Sequence, residues 1–219
     1  MKKIVALSIF LCSTLLCYAQ PSLGSIGEGN GRGSKFQVGI MVADFSKFNT
    51  QMKSDYGVSF DSLLIHYGTS SHNDAEGALH FYNGLNYIHP QKVRGDSADY
   101  RLSGWEWNIG LFGGDLFNDA EGFDLFFSLG FNIGRLRMDQ EMYDGKKIRY
   151  TNPFFAPFVQ LEPCIVFGSG FNLGVRGFYQ YDVSDPDWNI KNADRLIPPL
   201  GKAFMTGWSA QLVIGFSID

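Results

Sequence analysis

The chain has 219 residues, 26 of them glycine and 20 phenylalanine, with aromatic residues at 16% and a formal net charge of −4. This length suits one or two domains, and the acidic balance leaves no electrostatic footprint for nucleic acid as a partner. Nothing after Gln20 provides the roughly 18 consecutive apolar residues of a membrane-spanning helix, so any crossing of a bilayer falls to strands.

Met1, Lys2 and Lys3 form a positive start. Residues 4–16 are an apolar run broken only by Ser8, Cys12, Ser13 and Thr14. With Cys17-Tyr18-Ala19 ahead of Gln20 as a tolerable cleavage site, residues 1–19 read as a secretory signal peptide. A lipoprotein anchored at Cys17 is disfavoured, because bulky Leu16 stands where a small residue is wanted. Removing residues 1–19 takes two lysines and no acid, leaving 16 basic and 22 acidic residues, net −6. Of three cysteines only Cys164 remains, so an exported chain of this kind has no internal disulfide framework. Residues 20–34 carry Gly24, Gly27, Gly29, Gly31 and Gly33 and read as a flexible periplasmic leader. The glycines superficially resemble a phosphate-cradling loop, but no strand precedes them and no helix follows.

From residue 35 onward the pattern is alternation, as expected of strands whose side chains point to opposite faces in turn. Strand one is predicted near 35–45, with Phe36, Val38, Ile40 and Val42 on one face. Strand two falls near 56–66, against a competing helical reading of 48–56. Strand three, near 79–89, sends Phe81, Leu85 and Tyr87 outward together with polar Asn83. Strand four places Trp105, Trp107, Ile109 and Leu111 opposite Gly104, Glu106, Asn108 and Gly110.

Strand five carries the clearest stripe: Phe123, Leu125, Phe127, Leu129, Phe131 and Ile133 share one face, a length matching the roughly 9 to 11 residues of a tilted transmembrane strand. Strand six spans about 150–167, where Pro157 and Pro163 cost ladder donors. Strand seven, 171–182, alternates Phe171, Leu173, Val175, Tyr179 and Tyr181 with Asn172, Gly174, Arg176, Gln180 and Asp182. Strand eight, about 204–218, shows Trp208, Leu212, Ile214, Phe216 and Ile218 outward.

An apolar, aromatic outside and a polar inside, repeated over eight strands, predict an all-β fold. The expected form is an antiparallel up-and-down transmembrane β-barrel over residues 35–219, located in the outer membrane and bathed in its lipid. The outer connections are expected near 46–55, 90–99, 139–149 and 183–203, long and polar. The periplasmic ones fall near 67–78, 113–121 and 168–170. The pentapeptide Asn-Asp-Ala-Glu-Gly occurs at 73–77 and again at 118–122, each time just before a strand and on the same periplasmic side in this arrangement. With the signal segment and the alternating strands 123–134, 171–182 and 208–218, the chain resembles the small outer-membrane β-barrel family of outer-membrane-protein-A-type and porin-family barrel domains. The resemblance is one of pattern and implies no catalytic motif.

One interior pairing follows from register. If Phe167 and Phe171 flank the turn at 168–170, counting back equally puts Glu162 opposite Arg176, both inward, where opposite charges attract. An isolated charge in a narrow lumen is costly, and inward Glu106 can join the network. These charges form either a gate or the filling of a closed lumen. The second reading is favoured because eight strands leave an interior just wide enough for side chains.

Trp105, Tyr179, Tyr181 and Trp208 toward the outer ends, and Phe123, Phe167, Phe171 and Phe216 toward the periplasmic ends, form the expected interfacial aromatic belts. Beyond Ile133, Arg135 and Arg137 continue the outward face, either meeting lipid phosphates or forming a solvated loop base.

No cofactor is expected. The oxygen-rich run Asp182, Asp185, Asp187, Asn189 and Asp194 fails the calcium-loop pattern, with Ile190 at the turn-glycine position and Leu196 at the bidentate-acid position. His66, His72, His80 and His89 lack zinc-binding spacing. The expected function is non-enzymatic: envelope support, binding of a protein or surface ligand through the outer loops, or passage of very small solutes. One alternative is a barrel enzyme acting on lipid or peptide, for which Ser59 or Ser62 with His66 and Asp61 can be assembled as a catalytic set. The other is a soluble lipocalin-like barrel with its aromatic face turned inward.

Overall fold

The computed structural model describes residues 34–61, 63–74, 80–118, 122–167, 170–184, 188–191 and 205–218. The signal segment, almost all of the leader, and much of both Asn-Asp-Ala-Glu-Gly segments lie outside these residues. The strands are β1 (Ser34–Asp44), β2 (Leu63–Asp74), β3 (His80–Arg94), β4 (Ala98–Asn118), β5 (Phe123–Met142), β6 (Lys147–Val166), β7 (Phe171–Gln180), β8 (Asn189–Lys191) and β9 (Gly207–Ile218). One helix, α1 (Ser46–Tyr56), follows β1.

Consecutive strands pair antiparallel from β1 to β7, and β9 pairs with both β7 and β1. Over the span of the short strands eight strands thus close a ring, the arrangement that leaves no free edge in hydrocarbon; above it β3 runs on past its last pairing with β2, His66↔Ile88, and β6 past its last pairing with β7, Phe158↔Gln180. The three-residue β8 adds to β6 beyond the end of β7.

The strands differ greatly in length. β1, β7 and β9 have 11, 10 and 12 residues, whereas β4, β5 and β6 have 21, 20 and 20. At about 3.3 Å per residue a 20-residue strand runs about 65 Å, well beyond the apolar band of about 25 Å that a barrel needs. Half of the wall therefore rises clear of the band as an upper storey.

Three expectations are corrected here, the first being the periplasmic connection expected near 113–121, which is strand as far as Asn118 at the end of β4. The outer connections expected at 90–99 and 139–149 are mostly strand: tight turns at 95–97 and 143–146 are all that separate β3 from β4 and β5 from β6. Gly145, at φ 88°, makes the second turn, with its N–H donating to Met142 O at 2.9 Å. The strand expected at 56–66 is instead the end of α1, a connection and the start of β2, which occupies most of the segment expected to be a periplasmic turn. Gly68, Thr69 and Ser70 give β2 little apolar alternation, and pairing with β1 on one side and β3 on the other fixes it.

Along β5 the outward face changes character at one point. Leu125, Phe127, Leu129, Phe131 and Ile133 give way to Arg135, Arg137, Asp139 and Glu141, while an inward face that is polar at Asp124, Ser128 and Asn132, with Phe126 among them, gives way to buried Leu136 and Met138. β6 inverts likewise, from inward Glu162 and Gln160 to inward Tyr150 and Ile148.

α1 covers the apolar upper interior. Its Phe48 and Met52 are buried in a cluster with Phe45, Phe60, Leu102, Leu136, Tyr150, Phe154 and Trp188. Each such side chain contributes about 1.5–3 kcal/mol by leaving water. Asn49, also buried, accepts the Phe60 N–H at 2.9 Å, and Gly57, at φ 68°, ends the helix in the left-handed conformation.

Candidate functional site

A continuous polar ladder runs through the lower interior, beside a small buried apolar cluster of Met41, Tyr82, Phe158 and Phe178. Arg176, fully buried on β7, is the node of the ladder. Its Nε donates to Glu162 Oε2 at 2.6 Å. Its Nη1 reaches Ser70 Oγ at 3.1 Å, Tyr82 Oη at 3.0 Å and Gln211 Oε1 at 2.8 Å, and its Nη2 donates to Gln37 Oε1.

The backbone register on either side of the prolyl position, from Leu161↔Gly177 to Cys164↔Gly174, keeps Glu162 level with Arg176. Gln37 Nε2 secures the other carboxylate oxygen, Glu162 Oε1, at 2.7 Å. The guanidinium lies over the Tyr82 ring, 4.7 Å from its centroid, with Phe178 at 5.9 Å. A buried ion pair persists only with such supporting hydrogen bonds, since removal from water costs each ion several kcal/mol.

Glu106 belongs to the same ladder through two intermediates. Gln211 Nε2 donates to Asn86 Oδ1 at 3.3 Å, and Asn86 Nδ2 donates to Glu106 Oε1 at 3.1 Å. The ladder continues upward from Asn86 Nδ2 to Asn108 Oδ1 and from Asn108 Nδ2 to Asn132 Oδ1, each at 2.7 Å. Asn132 then bonds Gln180, whose Nε2 reaches Met205 O at 2.7 Å, at the base of the apolar cluster. Asn86 fits because its neighbour on β2 is glycine: a Cβ at Gly68 would collide with Asn86 Oδ1. Toward the end of the barrel where β1 begins a second buried pair, Lys35 Nζ to Asp124 Oδ2, spans 3.1 Å.

Gln37, Ser70, Tyr82, Asn86 and Gln211 were not singled out in the sequence. They are joined across the ring, where strand periodicity carries no information.

A cavity of about 10 Å³ lies beside Glu106, lined by Met41, Gln180 and Met205 among others, on the order of one water. Above it, Tyr150 Oη donates to Gln140 Oε1 at 2.8 Å and Gln140 Nε2 donates to Tyr100 Oη at 3.1 Å. Burial, with the neighbouring Tyr56 and Tyr100 hydroxyls, pushes the Tyr150 phenol up and keeps it protonated.

Outside, Trp105, Tyr179, Tyr181 and Trp208 are all exposed, and Tyr179 stands beside Trp208 across β7 and β9. Tyr67 and Tyr87, also exposed, extend this row to Trp105 through the Tyr67↔Tyr87 and Tyr87↔Trp105 pairs. At the other end Phe171 has its ring centroid 5.5 Å from Phe167 and 5.6 Å from Phe216, and Phe123 is exposed. Outward Asn83 accepts the indole N–H of Trp107 across the strands, which accounts for a polar residue on that face.

The residues of the alternative catalytic set are not brought together by any described contact. Ser59 Oγ donates to Phe60 O at 3.2 Å and the Asp61 N–H donates to Gln91 Oε1 at 3.0 Å. Ser62 and the His66 side chain lie outside the described residues.

A closed antiparallel ring with an exposed apolar outside and a polar ladder inside is the fold of the small outer-membrane β-barrels. Solved structures agree. The chain is similar to Ail, the attachment invasion locus protein of Yersinia pestis, with a TM-score of 0.50 at 8% identity over 85% of this chain and 99% of that one. It is also similar to a major outer membrane protein from Thermus thermophilus, with a TM-score of 0.51 at 8% identity over 85% of this chain and all of that one. At such identity the likeness is one of fold. No protein-family model and no curated protein sequence matches the chain.

Proposed function

We propose that this chain is a closed, non-catalytic outer-membrane barrel that conducts no solute and acts through its outer surface, as an envelope component presenting the upper storey to a protein or surface ligand. One observation carries this reading. The Arg176 ladder crosses the lower interior and α1 with its apolar cluster covers the upper one, which supports a lumen closed at both levels. The predicted signal segment supports export, and the aromatic rows at the two ends of the band support a bilayer around it.

In this reading the buried charges hold the wall in register and do not gate a channel. The test is conductance across a planar bilayer by protein refolded in detergent and shown to be heat-modifiable on a gel. The expected record is flat; stable, reproducible current steps would overturn the closed-lumen reading.

A further inference from the structure

On the outer face of the wall, directly above the aromatic row, lies a groove of about 400 Å³ lined by Tyr87, Trp105, Arg135, Arg137, Arg149 and Lys191, among others. Its position follows from the register. Arg135 pairs with Trp105 across β4 and β5, Arg149 lies opposite Asp139 across β5 and β6, and β8 sets Lys191 beside Arg149. The short β8 therefore brings a fourth cation to the groove.

A single neighbouring acid orders part of the set. Asp139 accepts Arg137 Nε at 3.0 Å and Arg149 Nε at 2.8 Å, with a second Arg137 bond beside the first. Burial tends to raise its carboxyl, but the two guanidiniums outweigh it and hold the carboxyl below its usual range. Among the described residues Arg135 and Lys191 have no ion-pair partner, and Glu141, one step higher, is engaged by Lys147 at 2.8 Å. Four cations against one acid stand on a chain whose formal net charge is −4.

The geometry points to a site for a phosphate monoester on a lipid of the outer leaflet, bound by Arg135 and Lys191 with Arg137 and Arg149 held in place beside them by Asp139. Two features select this ligand. Arg135 stands two residues above Ile133, about 7 Å along the strand, so the cations sit at headgroup height while the same groove ends on Tyr87 and Trp105, rings suited to the interface. Planar guanidinium groups also match phosphate geometry with paired hydrogen bonds. The inference rests on the bilayer orientation of the function proposed above and is independent of whether the lumen conducts.

The test is native mass spectrometry of the detergent-folded protein titrated with lipid A carrying its phosphates, with the same lipid after phosphatase treatment, and with inorganic phosphate as competitor. Heat-modifiable gel mobility scores folding separately, so loss of the barrel is distinguishable from loss of the site. Phosphorylated lipid is expected to bind roughly tenfold tighter than the dephosphorylated form, and the Arg135→Gln/Lys191→Gln double variant to lose that preference. Arg135→Lys is expected to retain part of it, and Lys92→Gln, an exposed cation outside the groove, all of it. Equal binding of the two lipids, or a double variant that still discriminates, overturns the proposal. Inorganic phosphate that binds as well as the lipid overturns the assignment to a lipid.

Discussion

The two storeys of the wall are built from the same strands with opposite signs. In the lower one, β5 turns Leu129 and Phe131 outward and Ser128 and Asn132 inward; in the upper one it turns Arg137 and Asp139 outward and Leu136 and Met138 inward. The backbone does not change between them, and the period stays at two. What changes is the medium outside: hydrocarbon rewards an apolar exterior and requires buried polar groups to find partners, whereas water rewards an apolar interior. Periodicity alone thus identifies a strand, and the sign of the alternation identifies its solvent.

This contrast can be broken in the lower storey first. Arg176→Ala leaves Glu162 as a buried carboxylate without its guanidinium and is expected to cost about 3–5 kcal/mol. The loss would appear as a lower urea midpoint of the heat-modifiable species. The paired change Arg176→Met/Glu162→Gln should recover part of it, and a single variant as stable as the parent would mean that the ladder is not structural.

The corresponding cut in the upper storey is Trp188→Ala. It removes a ring packed 6.0 Å from Phe48 and 6.4 Å from Tyr150, with an expected cost of about 3–5 kcal/mol. If the storeys are separate units, limited proteolysis should open the connection around α1 while the boiling-dependent gel shift persists. Loss of the shift would show one cooperative unit.

The smallest of the three effects sharpens the outer faces. Val175→Arg, on the exposed face of β7, is expected to cost about 2–4 kcal/mol in bilayers, although Arg101 and Arg149 stand outward in the upper storey. A neutral result, measured by refolding yield into lipid vesicles, would place water around the band.

The lower storey was largely legible in the sequence because each strand there obeys a single alternation, and because a short turn between Phe167 and Phe171 fixes Glu162 against Arg176 by counting. The upper storey was not. Where Ile133 is followed by Gly134 and Arg135, the apolar residues switch faces, so the stripe breaks off and its continuation reads as a polar loop. β2 was obscured for a different reason: Gly68, Thr69 and Ser70 are small on both faces, and only the neighbouring strands specify their pairing. The link from Arg176 to Glu106 runs through Gln211 and Asn86 on other strands, and such closure across a ring leaves no trace in linear spacing. The groove was half visible, since Arg135 and Arg137 lie on one strand while Arg149 and Lys191 arrive from β6 and β8.

The seam between β1 and β9 gives the ring a kinetic consequence. It joins opposite ends of the described chain, from Ser34↔Ile218 to Ala43↔Ser209, whereas β4–β5 and β5–β6 are local hairpins. Distant pairings carry the largest loop-closure entropy and form slowly. Until this one zips, two strand edges hold unpaired amides and carbonyls, each costing several kcal/mol in hydrocarbon. An open sheet therefore has no stable place inside the bilayer, and sealing of the ring and its insertion are coupled into one event.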